Sequence, residues 1–181
     1  MMDVTEQMDE SEKEIYEKFR FRYPFRIVDF INALNIKVFA RAMNDNQSGR
    51  IVKEGDDYKI FFNQDYPLTT IRFTLAYGLG YYFYNQEHLV CYKGFSFFNG
   101  QPARSFWSFL FRKKKAPRNP ILEMMNIRAN QFAEELLMPE KQFIEAWQQS
   151  SSPEEVALAF DVSVGAVKKR AYSLPGTMKQ W

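Results

Sequence analysis

Along the first third of the chain the spacing of apolar residues shifts from the period of a helix to that of a strand. In residues 10–21, Ile15, Tyr16 and Phe19 share one face of an otherwise charged helix. Pro24 fits the first turn of a second helix over 24–34, whose apolar stripe is Ile27, Val28, Phe30, Ile31 and Leu34. Residues 36–40 are β-branched and aromatic and predict a strand; two more short strands follow at 51–53 and 58–62. Gly55-Asp56-Asp57 is a turn signal between them, so a hairpin is the natural connection. The longest helix is expected over 67–86, with Thr69 or Thr70 near its start. Gly78 and Gly80 inside it would each cost roughly 1 kcal/mol relative to alanine in an exposed helix. A buried helix, closely approached by a neighbour, tolerates them better.

Residues 92–120 contain Gly94, Gly100, Pro102, Pro117 and Pro120, which predicts a long connection with a short strand at 94–98. Helix resumes over 120–137 and stops at Pro139. Shorter helices are expected at 140–148, 153–160 and 164–173. The chain therefore divides into an acidic N-terminal extension (1–21), a main domain (22–139) and a helical C-terminal lobe (140–181).

Composition narrows the class. Hydrophobic residues make up 46% and charged residues 25% of the 181 positions, so the chain can bury a real core and disorder is not the default. The 18 Phe, 10 Tyr and 3 Trp must mostly be core. A net charge of +2 is too small to imply a nucleic-acid partner from the total. One cysteine, Cys91, excludes an internal disulfide, the acidic start lacks signal-peptide character, and no apolar run approaches the ~20 residues that span a bilayer. A cytoplasmic location is expected.

Two segments carry a resemblance. The first is Arg72-Phe73-Thr74-Leu75-Ala76-Tyr77-Gly78-Leu79-Gly80-Tyr81; the second is Ala129-Asn130-Gln131-Phe132-Ala133-Glu134-Glu135-Leu136-Leu137-Met138-Pro139. Together they resemble the two signature helices of the ImmA/IrrE metallopeptidases, "RFTLAHELGH" and "EANxFAxxLLMP", over roughly residues 22–175. The resemblance implies an α+β fold: a zincin-like metallopeptidase scaffold with a small antiparallel sheet, two signature helices and a helical C-terminal lobe. In an active member two histidines at i and i+4 bind zinc, the Glu after the first is the general base, and a Glu of the second helix completes the ligands. By that alignment Tyr77 and Tyr81 replace the histidines, Gly78 replaces the base, and Arg128 replaces the third ligand.

Neutral phenols are poor zinc ligands at pH 7, glycine cannot activate water, and a guanidinium repels a cation. No metal, no cofactor and no catalysis are therefore expected, and Tyr77, Tyr81 and Arg128 are expected to converge. His88, Glu87 and Cys91 offer a second trio of donors, but a surface histidine at a helix end is the plainer account, and Cys91 lacks an evident catalytic partner.

Other segments invite binding. Phe106, Trp107, Phe109 and Phe111 run into Arg112, Lys113, Lys114 and Lys115, a composition that can stack on bases and meet phosphates, sit on a membrane surface, dock a partner, or pack inward beneath a solvated basic tail. Residues 153–173 have helix-turn-helix flavour, with Lys168, Lys169 and Arg170 as candidate phosphate contacts. Active relatives cleave helix-turn-helix regulators, often from mobile elements, so the resemblance implies an inactive member that binds such a regulator, as in a toxin–antitoxin-like pair. Candidate contacts are Asn130, Phe106, Trp107 and Lys113 to Lys115. The alternatives are an active metal-dependent endopeptidase with an atypical site, and a nucleic-acid-binding regulator using 106–118 and the C-terminal helices.

Overall fold

The computed structural model describes residues 2–44, 46–87, 89, 94–98, 120–174 and 177. Among them the chain builds an α+β fold in which helices pack on one small sheet. The first helix, α1 (Glu10–Glu17), opens on a capping box: the Asp9 carboxylate accepts the Glu12 N–H, and the Glu12 side chain accepts the Asp9 N–H. It is shorter than its apolar pattern, and turns replace its last predicted residues. Helix α2 (Ile27–Ala33) begins beyond Pro24, which lies outside it rather than in its first turn.

Strands β1 (Lys37–Arg41), β2 (Gln47–Glu54), β3 (Asp57–Asn63) and β4 (Phe95–Phe98) form a sheet in the order β1-β3-β2-β4. The β2–β3 hairpin turns through Gly55, whose φ of +63° suits a residue without a side chain. The sheet is not wholly antiparallel, as expected from sequence, but mixed: β1 runs parallel to β3. Alternation of side chains sets the faces of a strand and leaves its direction to the connections, which is why the parallel pairing was not predicted. Strand β2 also begins earlier than its apolar run, because the polar stretch at 47–50 is held by pairing with β3 and β4.

Helix α3 (Leu68–Tyr84) lies against the sheet and against α4 (Pro120–Leu137). Two glycine contacts set these distances. A methyl group on Gly49 of β2 would sit 2.5 Å from Cγ2 of Thr74, and one on Gly80 would sit 2.6 Å from Cα of Ala129. The second contact is backbone against side chain-free helix and fixes how closely α3 and α4 cross. Helices α5 (Glu140–Gln149), α6 (Pro153–Phe160) and α7 (Val164–Ser173) complete the fold.

One hydrophobic core runs through all three predicted segments. Val4, Met8 and Tyr16 join Phe30, Leu75, Leu79 and Phe132, which continue into Phe143, Val156 and Val167. Arg72 ties the parts together: its guanidinium donates to the carbonyls of Phe25 (2.9 Å) and Asp161 (3.0 Å). Asp161 is the left-handed residue, φ +51°, that ends α6. No helix among the described residues is long and apolar enough to cross a membrane.

Candidate functional site

Helical spacing puts Tyr77 and Tyr81 on one face of α3, and the structure brings their rings within 5.5 Å, centroid to centroid. Both rings pack against the sheet: Tyr77 meets Phe97 edge-on at 5.1 Å, and Tyr81 lies 5.0 Å from Phe95 and 5.4 Å from Phe97. The hydroxyls share one acceptor. Oδ1 of Asn126 receives the Tyr77 O–H at 2.6 Å and the Tyr81 O–H at 2.5 Å.

Arg128 does not join them, so the expected convergence is corrected. It is exposed, on the flank of α4 near Tyr84. Two residues along a helix turn the side chain by roughly 200°, so a residue at 128 cannot reach the flank that 126 occupies. The sequence motif pointed to the residue beside Ala129-Asn130; helix phase instead turns the residue three before Ala129 toward α3. Asn126 is the α4 side chain that meets the two tyrosines, and the motif alignment missed it.

Gly78 faces the sheet. A methyl group there would stand 3.1 Å from Cδ1 and 3.3 Å from Cγ2 of Ile60, and 3.4 Å from Cε2 of Phe97. Ile60 is fully buried, so the space where the resemblance puts a general base is filled by side chains of β3 and β4.

The donor set does not fit zinc. Burial raises the pKa of both phenols from 10.0, that of Tyr81 to about 12 and that of Tyr77 further, so each stays neutral and donates its proton to Asn126. The carboxamide is neutral as well. Two phenols and an amide offer neither the imidazole nor the thiolate or carboxylate that a zinc site requires. Among the described residues no group of three His, Cys, Asp or Glu could hold a metal ion.

The raised tyrosines make a pH prediction. Unfolded tyrosine loses its proton near 10, whereas the folded protein holds these protons to higher pH, so their contribution is full below pH 10 and is lost as pH rises. Tm is expected to fall steeply between pH 10 and 12, with phenolate absorbance rising together with unfolding. Phenolate absorbance at pH 10 in the folded protein that the Tyr77→Phe/Tyr81→Phe change removes would contradict the buried, neutral pair.

The other candidate residues divide. Asn130 is half-buried and donates to Oε1 of Glu134 at 2.8 Å, on its own helix. Phe132, Ala133, Leu136, Leu137 and Met138 are core behind the site rather than its wall. Two of the three cations proposed for phosphates are engaged within the fold. Lys169 bonds Glu134 at 2.5 Å, and Arg170 is buried, paired with Glu135 and donating to the carbonyl of Met138 at 3.1 Å. Only Lys168 is exposed, which weakens a DNA-binding role for α6 and α7. Phe106, Trp107, Lys113, Lys114, Lys115, His88 and Cys91 lie outside the described residues.

Helices α3 and α4 crossing at Gly80–Ala129 beside a small sheet, with paired i, i+4 side chains met by one from α4, define a metallopeptidase-like scaffold. Residues 109–172 match the family described as Peptidase_M78, the IrrE N-terminal-like domain, a stretch that includes the second signature helix and runs into α7. Over that stretch the chain is similar to the ImmA/IrrE metallopeptidases. No curated protein matches it.

Proposed function

We propose that this protein, on a scaffold like that of the ImmA/IrrE metallopeptidases, binds a protein partner and does not hydrolyse it. One observation carries the reading: where the resemblance puts two histidines and a base, the chain holds Tyr77 and Tyr81, both donating to Asn126, and a glycine whose side-chain space is filled. Around that cluster the scaffold is intact. The Gly80–Ala129 crossing, the Arg72 tie and the buried α4 motif all serve packing, so loss of chemistry has not been accompanied by loss of fold. Retention of the frame without its reactive groups is what selection for binding leaves behind.

The partner proposed is a regulator of the helix-turn-helix class from a mobile element or a toxin–antitoxin-like pair, which rests on the family's usual substrates. The test mixes the purified protein with any small helix-turn-helix regulator found encoded beside it and reads complex formation and the regulator's intact mass. A complex that survives moderate salt, with the regulator's mass unchanged, is expected; phosphate-dominated binding would weaken steeply instead. Cleavage abolished by a chelator would overturn the non-hydrolytic reading, and absence of any complex would overturn the binding one.

A further inference from the structure

We propose that Tyr77, Tyr81 and Asn126 form a metal-free clamp at the three ligand positions of the family's zinc site, and that residue 126, not 128, is the third of them. The inference goes beyond the proposed partner and stands or falls without it. Its first support is the convergence of the three side chains. A zinc site of this kind draws two side chains at i and i+4 of one helix toward one from the next, and here the only α4 side chain bonded to both residues 77 and 81 is that of Asn126.

The second support is the chemistry of the contact. An ion at this point would join α3 to α4 through three bonds. Two phenol hydroxyls donating to one carboxamide oxygen join the same helices through two hydrogen bonds, at 2.6 and 2.5 Å. Phenols reach further from the helix than imidazoles, and asparagine is shorter than glutamate, so the exchange of long and short side chains closes the gap that a departed ion would open. The pair is partly walled by Phe95 and Phe97, where neutral donors satisfied by a neutral acceptor cost least. The clamp thus does the mechanical part of the metal's work, beside the close Gly80–Ala129 crossing.

Two sets of variants test this. Tyr77→His/Tyr81→His/Asn126→Glu is compared with Tyr77→His/Tyr81→His/Arg128→Glu, reading zinc content after dialysis and the change in Tm on adding zinc. The first is expected to retain one zinc per chain and to gain stability from it, and the second to do neither. A second variant that takes zinc as well as the first, or a folded first variant that takes none, overturns the assignment of residue 126. Should both fail to fold, the cycle in the native background decides. Asn126→Ala and the Tyr77→Phe/Tyr81→Phe pair are each expected to lower Tm, and their combination to lower it by clearly less than the sum, because donors and acceptor leave together. Additive losses would show that the three residues are not a clamp.

Discussion

Replacing Arg170 with alanine is expected to cost about 3–5 kcal/mol, because it strands a buried carboxylate. Arg170 and Glu135 face one another almost wholly out of water, and each also satisfies backbone. The guanidinium donates to the Met138 carbonyl at 3.1 Å, and the other oxygen of Glu135 accepts the N–H of Glu140 at 3.1 Å, at the start of α5. One pair therefore joins α4 and α7 and caps α5. For a chain of this size, 1 kcal/mol corresponds to about 2–4 °C in Tm, so a fall on the order of 10 °C is expected by thermal denaturation. Arg170→Lys should recover only part, since an ammonium cannot fork between carboxylate and carbonyl as a guanidinium does. Removing both charges together, as Arg170→Met/Glu135→Met, should cost less than Arg170→Ala alone. If the double change is the worse of the two, the pair is itself a source of stability and the stranded-charge argument fails.

That pair also marks where sequence and structure part. From α3 onward the helices were legible to within about two residues, because apolar periodicity and caps are local. Ser152 and Ser163 each accept an N–H three residues on, and Asp9 with Glu12 forms its box within one turn. Tyr77, Gly78 and Tyr81 were legible for the same reason, being fixed by one helix. What failed was relation between elements. The parallel β1–β3 pairing depends on connections, and Asn126 depends on the phase of α4 against α3. Yet the phase was written in α4 itself: Met125, Ala129, Phe132 and Ala133 are its core positions, and Arg128 falls among exposed Met124, Ile127 and Gln131. Likewise Lys169 and Arg170 looked available to phosphates only while Glu134 and Glu135 were not seen to be buried, where carboxylates need partners.

Restoring the base is expected to fail for lack of room. Gly78→Glu places its Cβ 3.1 Å from Ile60 Cδ1 and then must send one more methylene and a carboxylate past Ile60 and Phe97. Overpacking of this kind costs about 1–3 kcal/mol, and an unpaired carboxylate in an apolar wall adds a penalty of several kcal/mol more. Gly78→Ala separates the two terms. Its single methyl needs its neighbours to yield by only a few tenths of an ångström, and the helix gains about 1 kcal/mol of propensity, so a change near zero is expected. Gly78→Glu in an Ile60→Ala background should then lose less than it does alone, because the missing side chain opens the path. Calorimetry on the four proteins gives the answer. A Gly78→Glu protein as stable as the parent would mean that the wall is soft and a base could act there. A costly one, relieved by Ile60→Ala, means that the sheet itself leaves no room for a base at this position. Reinstating histidines and a third ligand would then return a metal with nothing beside it to activate water.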